Sequence, residues 1–396
     1  MINAKYWIWL QRALGEGASI KKIIDKYGSI KEFYNEKSSN FQQVNILTPN
    51  QINKLNMAEL EDSDKVIDVC NKNNWEIITP DDEKYPNLLR KLENMPAVIY
   101  CRGTFPDFNN KFCVSIVGAR KASKYASECA YQIACTCAVC DAVVVSGGAL
   151  GIDSAAHRGA ISVNGITVAV LGCGLDYNYL KSNEPLRQDI INTGGALITE
   201  FLPYREAPPR NFPLRNRIVS GLGTAVVVVE GKLESGSLIT AKRAINQGKD
   251  VYAVSGSILS ESFRGTNKLI ADGANIVTSV YSVIENYKDD KRLNMGDSYE
   301  LSKRIRQAAN LQLKKYKETE TTTIEEFEYD EEKAKLIRKL DEITLKIYNS
   351  LTSMYEHIDI ITQKNNMSSI EVSSALIQLE IMGLAKSNAG KQYRKG

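Results

Sequence analysis

The chain of 396 residues is poor in the groups that do most acid–base chemistry, with only two histidines, His157 and His357. No uninterrupted apolar run reaches the ~18 residues a membrane helix needs, so no membrane partner is expected. The first residues, MINAKYWIWLQRALGEG, lack an apolar core ending in a small-residue cleavage site, so the expected location is the cytoplasm. There is no G-x-x-x-x-G-K-[ST] phosphate loop and no serine in a G-x-S-x-G elbow, which excludes the commonest NTPases and serine hydrolases. No carboxylate cluster suggests a metal. A net charge of +3 makes bulk charge a weak argument for nucleic acid.

Eight cysteines are present. A zinc site would use Cys135, Cys137 and Cys140, with Cys129 as a fourth ligand. The run CACTCAVC is apolar and helix-like, however, and no second C-x-x-C pair accompanies it. Buried thiols of a reduced protein are the better account.

The chain divides by pattern. Residues 1–65 read as small helices, a helical (SAM/HhH-like) domain in which Gly15 and Gly17 interrupt two helical runs. The helix–Gly-x-Gly–helix form occurs in modules that touch DNA backbone, and a packing or protein-contact domain is the competing reading. Residues 66–111 form a connector, with a turn at Pro80-Asp81-Asp82. Over 112–285 short β-branched runs alternate with helical segments. The spacing predicts strands at 113–117, 142–146, 167–171, 196–199, 225–229, 251–254 and 275–278, with helices at 123–140, 153–162 and 237–247. That is an α/β, Rossmann-like doubly wound, largely parallel sheet, buried on both faces. Residues 286–334 read as a charged linker. Residues 335–396 give helix, helix and hairpin in the order of a winged helix-turn-helix. The second of those helices carries Glu371 and Glu380 and no Lys or Arg, which suits protein contact better than major-groove contact.

The chemistry concentrates at strand ends. Strand 113–117 runs into Gly118-Ala119-Arg120-Lys121. Strand 142–146 ends in Ser146-Gly147-Gly148-Ala149-Leu150-Gly151, and strand 167–171 in Gly172-Cys173-Gly174. Ligands of open α/β sheets bind beyond the carboxyl ends of the strands, where glycine exposes backbone N–H groups to anions. The bland account is that turns need glycine anyway. The 146–151 run does not fit G-x-G-x-x-G and no acidic residue ends the next strand, so no nicotinamide cofactor is expected, nor any other. Arg120, Lys181, Arg210, Arg215 and Arg217 are expected in loops at one sheet edge, with Phe212 among them. Cations and an exposed ring in that arrangement suit phosphates and a stacked base. Asp153 and His157 are four apart and could form an acid–base pair, though a helix cap with a packed imidazole is the plainer reading. Glu230, after strand 225–229, is the best candidate for a catalytic base.

Six ordered segments carry a resemblance: SIVGAR (115–120), SGGALGIDSAAH (146–157), AVLGCGLDYNYLKSN (169–183), NFPLRNRIVSGL (211–222), ESGSLITA (234–241) and NKLIADGA (267–274). Together they resemble the DNA-processing protein A (DprA/Smf) family. Similarity is dense over about 80–285 and looser at both ends. The resemblance implies a non-enzymatic protein that binds single-stranded DNA without strong sequence preference. It implies loading of the RecA recombinase on incoming DNA during natural transformation, and a homodimer formed through the Rossmann-like domain. By motif, Arg120 and Lys181 match the family's DNA-contacting basic residues, and Ser146, Gly147 and Gly148 its phosphate-holding turn. The expected DNA-binding set is Gly118, Arg120, Lys121, Ser146, Gly147, Gly148, Lys181, Asn211, Phe212, Arg215, Asn216 and Arg217. The chain departs from the pattern at Gly148, at Ser255 and at Leu180, where the family more often has Leu, Pro and Pro; none of these removes a charge. A nucleotide or nucleoside-phosphate hydrolase on the same sheet, with Glu230 or Asp153 as base, is the alternative.

Overall fold

The computed structural model describes residues 3–41, 44–295, 336–337, 340–352, 355–388 and 390–395. They fall into two compact units, divided within the stretch between 295 and 336.

The first unit is built on a nine-stranded sheet in the order β1-β2-β6-β5-β4-β3-β7-β8-β9. Its strands are β1 (Glu76–Ile78), β2 (Ile99–Gly103), β3 (Cys113–Val117), β4 (Val143–Ser146), β5 (Thr167–Val170), β6 (Ala196–Thr199), β7 (Ala225–Val228), β8 (Asp250–Val254) and β9 (Asn275–Val277). All seven expected strands are present within a residue or two of their expected ends. β3 to β9 run parallel, while β1 and β2 form an antiparallel edge joined to β6. Alternation decides which face each side chain enters. Val114, Ile116, Val144 and Val227 pack under the helices Lys124–Val139 and Ile152–Ile161. Cys113, Val143, Val145, Val226 and Val228 pack on the other face, with Ile218, Val219 and Ala241. Both faces are covered, which is why these strands read as continuous apolar runs.

Cys135 and Cys137 lie buried on the helix Lys124–Val139. Burial pushes the Cys135 thiol up to about 11 and Cys137 further. Such thiols are inert core groups.

The N-terminal helices do not stop at residue 65. The helix Asp62–Lys72 crosses that boundary, and Val66 and Cys70 join one cluster with Trp7, Trp9, Phe33, Met95 and Tyr100. The Gly15/Gly17 turn faces two ways. A Cβ on Gly15 would meet nothing within 4 Å, while one on Gly17 would stand 2.4 Å from the flexible end of Leu214. The positive φ of both, +82° and +77°, is what favours glycine there. Residues 286–295 correct the linker start, because Tyr287, Leu293 and Met295 pack into the sheet core. The rest of the expected linker, 296–334, lies outside the described residues.

The second unit runs helix Glu342–Ser350, strand Glu356–His357, helix Ile358–Asn365, helix Ser369–Ile381 and the hairpin Ala385–Asn388 with Gln392–Lys395. The short strand pairs with the hairpin to give three strands. Glu371 is occupied in a capping box with Ser368. Among the described residues no helix is long and apolar enough to cross a membrane.

His157 is wholly buried, with Nδ1 at 2.7 Å from Thr167 Oγ1 and Nε2 without a partner among the described residues. Burial, reinforced by the nearby Arg215 charge, pushes its pKa down to about 3. The unfolded chain therefore takes up a proton, near pH 6.5, that the folded state refuses. This contribution to stability is complete above about pH 6.5 and is lost as pH falls towards 3. At pH 5 the loss should be about 2 kcal/mol for a shift of this size. Urea denaturation at pH 7 and pH 5 checks it: His157→Gln should flatten the pH dependence relative to the unsubstituted protein. An equal slope in both proteins would show that His157 is not the group responsible.

Candidate functional site

The chain visits β3 first, moves outward through β4, β5 and β6, then returns to lay β7 on the other side of β3. At that reversal the loops beyond the carboxyl ends of the strands diverge, and a cleft of about 730 Å³ opens between them. Its walls come from the loops after β3, β4 and β7, from Tyr179, and from the helix Asn211–Leu222.

That helix corrects an expectation. Arg215 and Arg217, expected in a loop, lie on the first turns of a helix. Pro213 sits in the first turn, where a missing N–H costs nothing. A helix sorts its arginines by face. Arg217 is buried in a bidentate ion pair with Glu200, at 2.5 and 2.6 Å, and its Nε donates to the Asn94 carbonyl at 2.9 Å. It is a core residue with no exposed edge for DNA. Arg215 is buried too. It donates to the Gly147 carbonyl at 2.7 Å and to the Val170 carbonyl, clamping the ends of β4 and β5.

Ser146, Gly147, Gly148 and Asn211 are likewise buried. The Ser146 hydroxyl donates to the Ile116 carbonyl at 2.6 Å. Asn211 Nδ2 donates to the Gly172 and Glu206 carbonyls at 3.0 and 3.1 Å, tying two loops together. The glycine turn after β4 already holds a carboxyl group of its own chain. Asp153 Oδ2 accepts the Ala149 N–H at 3.3 Å, and hydrogen bonding to Ala149 and Gly147 favours its charged form. A Cβ on Gly147 would lie 2.6 Å from Asp153 Oδ2 and 2.7 Å from an Arg215 nitrogen, so only glycine fits between them. Burial pushes the Asp153 carboxyl up and the Arg215 guanidinium down, and each partly restores the other. Asp153 thus engages the Ala149 amide of the turn, with Gly147 contributing.

The reachable groups line the rim. Arg120 and Lys121 are exposed on the loop after β3, where Gly118 is half-buried. The Arg120 guanidinium lies over the Phe212 ring, 4.8 Å from its centroid, and Tyr179 flanks that ring at 5.3 Å. Phe212 rests on Gly172, where a Cβ would come within 2.9 Å of the ring. Asn216 holds the Arg215 Nε through its Oδ1 at 3.0 Å and lines the cleft. Lys181 and Arg210 do not line it. Both are exposed, Lys181 two residues beyond Tyr179 and Arg210 directly after Pro209, and those two neighbours do line it.

The loop after β7 supplies a wall not assigned in advance: Lys232, Ser235, Gly236 and Ser237. Its signal was the ESGSLITA segment itself, a glycine–serine turn opening a helix at a strand's carboxyl end. Glu230 lies deeper. Its Oε2 accepts the Ser123 N–H at 2.8 Å, at the start of the helix Lys124–Val139. Asp153 and His157 have separate partners. The candidate bases are therefore committed to structural contacts.

A family model for DNA recombination-mediator protein A matches residues 76–288. The Smf protein of Synechocystis is 32% identical over 326 residues, covering 81% of this chain and 80% of its own. DprA of Streptococcus pneumoniae is 38% identical over 207 residues, 52% of this chain and 72% of its own. Smf of Escherichia coli is 38% identical over 215 residues, of which the aligned part is 57% of the relative's length. A crystal structure of the S. pneumoniae protein matches with TM-score 0.55 and 29% identity, over 71% of this chain and 97% of that one. A Helicobacter pylori DNA processing protein A, described for its single-stranded DNA binding mode, matches with TM-score 0.50 and 27% identity, over 55% and 96%.

Removing Arg217 alone leaves Glu200 charged and buried, which typically costs about 3–5 kcal/mol. Arg217→Ala should lose stability on that scale in denaturant titration. Arg217→Met combined with Glu200→Leu should recover most of it, because no unpaired charge remains. A single variant as stable as the parent would show that the pair does not hold the helix.

Proposed function

The chain belongs to the DNA recombination-mediator protein A family, and from that premise we propose that it binds single-stranded DNA without strong sequence preference along the rim of the cleft. The observation that carries this reading is the stack of Arg120 on Phe212 beside Tyr179, with Lys121, Lys181 and Arg210 exposed around it. Cations take successive phosphates while the rings offer an apolar surface to a base. The buried Arg215 adds positive potential from below without touching DNA. Gly118 and Asn216 shape the rim, and Ser146, Gly147, Gly148 and Asn211 keep its loops in place. This assigns contact to the side chains, in place of the glycine-turn amides.

The wider role in this reading is that of a recombination mediator in the cytoplasm. A homodimer formed through the α/β unit would present two rims and organise DNA for a RecA-class recombinase, as on incoming DNA during natural transformation. The second unit, read as a winged helix, would serve protein contact, because the solvent side of its longest helix carries no cation. The protein is read as no enzyme and as needing no cofactor.

Arg120→Glu and Lys181→Glu should each weaken binding of an oligothymidine at least tenfold in a gel-shift assay, with the fold intact by circular dichroism. Arg120→Ala should lower the salt dependence by about one released counterion. Phe212→Ala should cost about 1–3 kcal/mol of affinity if it stacks a base. Unchanged affinity in both charge reversals would sink the proposed rim.

A further inference from the structure

A second cleft, of about 740 Å³, opens at the opposite edge of the sheet. Thr224 directly precedes β7 and Asp250 begins β8, so this cleft lies at the amino ends of the parallel strands. Its other walls are the loop 91–94 and the turn that follows the helix Gly236–Asn246. Nothing in the single-stranded DNA reading uses it.

Five cations line it: Lys91, Arg217, Arg243, Lys249 and Arg292. Arg217 is committed to its buried pair with Glu200. Arg292 has a carboxylate partner, Asp290 at 2.7 Å. Arg243 donates to the Leu214 carbonyl at 3.3 Å. Among the described residues, the side-chain ammonium groups of Lys91 and Lys249 have neither a hydrogen-bond nor an ion-pair partner. Two acids also line the cleft. Asp250 is engaged by the Tyr287 hydroxyl, and Glu93 is exposed. Lys249 is half-buried; burial and the neighbouring Lys91 and Arg292 charges push it down to about 8. Two polar atoms on the lining residues, Thr224 Oγ1 and Gln247 Oε1, are buried without a partner among the described residues. The Gln247 amide nitrogen is already used on the Arg217 carbonyl at 3.2 Å.

Like charges are not gathered in a half-buried place without cost, and buried polar atoms are normally satisfied. An anion relieves both conditions. It would neutralise Lys91, Arg243 and Lys249 together and accept from the Thr224 hydroxyl. A donor on the same ligand, such as a sugar hydroxyl or base amine, would satisfy Gln247 Oε1. We propose that this cleft is a second phosphate site, which binds a phosphate ester through Lys91, Arg243, Lys249 and Thr224. The ester can come from a free mononucleotide or from a polynucleotide that passes both edges of the sheet.

The test uses the full-length protein, with AMP and with oligothymidines of about ten nucleotides, on the order of one binding site, and several times longer. The comparison is with Lys91→Gln/Lys249→Met. A mononucleotide site predicts calorimetric binding of AMP that the double variant weakens at least tenfold, with both oligonucleotides bound as before. A polynucleotide site predicts that the double variant weakens the long oligonucleotide at least fivefold and leaves the short one unchanged. Arg120→Glu separates the two clefts, because it should spare AMP binding while reducing that of the short oligonucleotide. If the double variant fails to fold, the Lys249 ammonium of the unsubstituted protein can be titrated by lysine-labelled NMR. AMP or the long oligonucleotide should raise its pKa by at least one unit. The proposal is overturned if AMP and both oligonucleotides bind the folded double variant as they bind the parent, or if neither ligand moves the Lys249 titration.

Discussion

The bidentate pair between Arg217 and Glu200 sits where four parts of the first unit meet. Glu200 follows the last residue of β6, and Arg217 belongs to the helix that forms one wall of the cleft. Arg217 Nε reaches the connector at the Asn94 carbonyl, while the Glu200 carbonyl accepts from Gln11 on the first helix. Gln11 in turn accepts from the Tyr100 hydroxyl on β2, at 2.8 Å. A buried ion pair contributes modest net stability, but its geometry is exacting, because neither charge tolerates loss of the other. It therefore fixes the position of the helix Asn211–Leu222 more than it adds to the total. Everything that helix presents to the cleft inherits that position. Arg215 caps the strand ends and Phe212 lies against Gly172, and both depend on a helix that cannot slide.

What could be read in the sequence follows from what kind of information a pattern holds. The parallel sheet was legible because burial on both faces leaves an unbroken apolar run at every strand, as in AVVVV at 225–229. Glycine clusters located the functional edge because the carboxyl ends of parallel strands lie on one side. The fate of each arginine was not legible. Arg120, Arg210, Arg215 and Arg217 look alike in one dimension. Their separation into exposed and buried depends on a partner such as Glu200, distant in sequence, and on a helix that Pro213 and two flanking prolines disguised as a loop. Tyr287, Leu293 and Met295 were hidden for a related reason: three apolar residues among many charges give no periodicity, yet each finds a place in the sheet core.

The glycine turn after β4 shows the limit of motif reasoning most clearly. Its backbone conformation, with Gly148 at φ +67° and Gly151 at φ +75°, does turn amides towards an anion, as the pattern implies. One of those amides, that of Ala149, is met internally by the Asp153 carboxyl, seven residues after the start of the same motif. A motif specifies a shape that favours negative charge and leaves open whose charge fills it. Here the consequence is a division of labour. The turn is stiffened by the Asp153 carboxyl and by Arg215, which is held against two carbonyls beneath it, so that binding need not reorganise it. The rim residues Arg120, Lys121 and Lys181 are long and exposed, with the Arg120 guanidinium laid over Phe212. Such an arrangement suits a ligand with a regular charge and a variable surface. On the reading proposed above, the exposed cations would follow the local path of a chain of phosphates, while the Phe212 and Tyr179 rings would offer a base of any kind the same apolar surface.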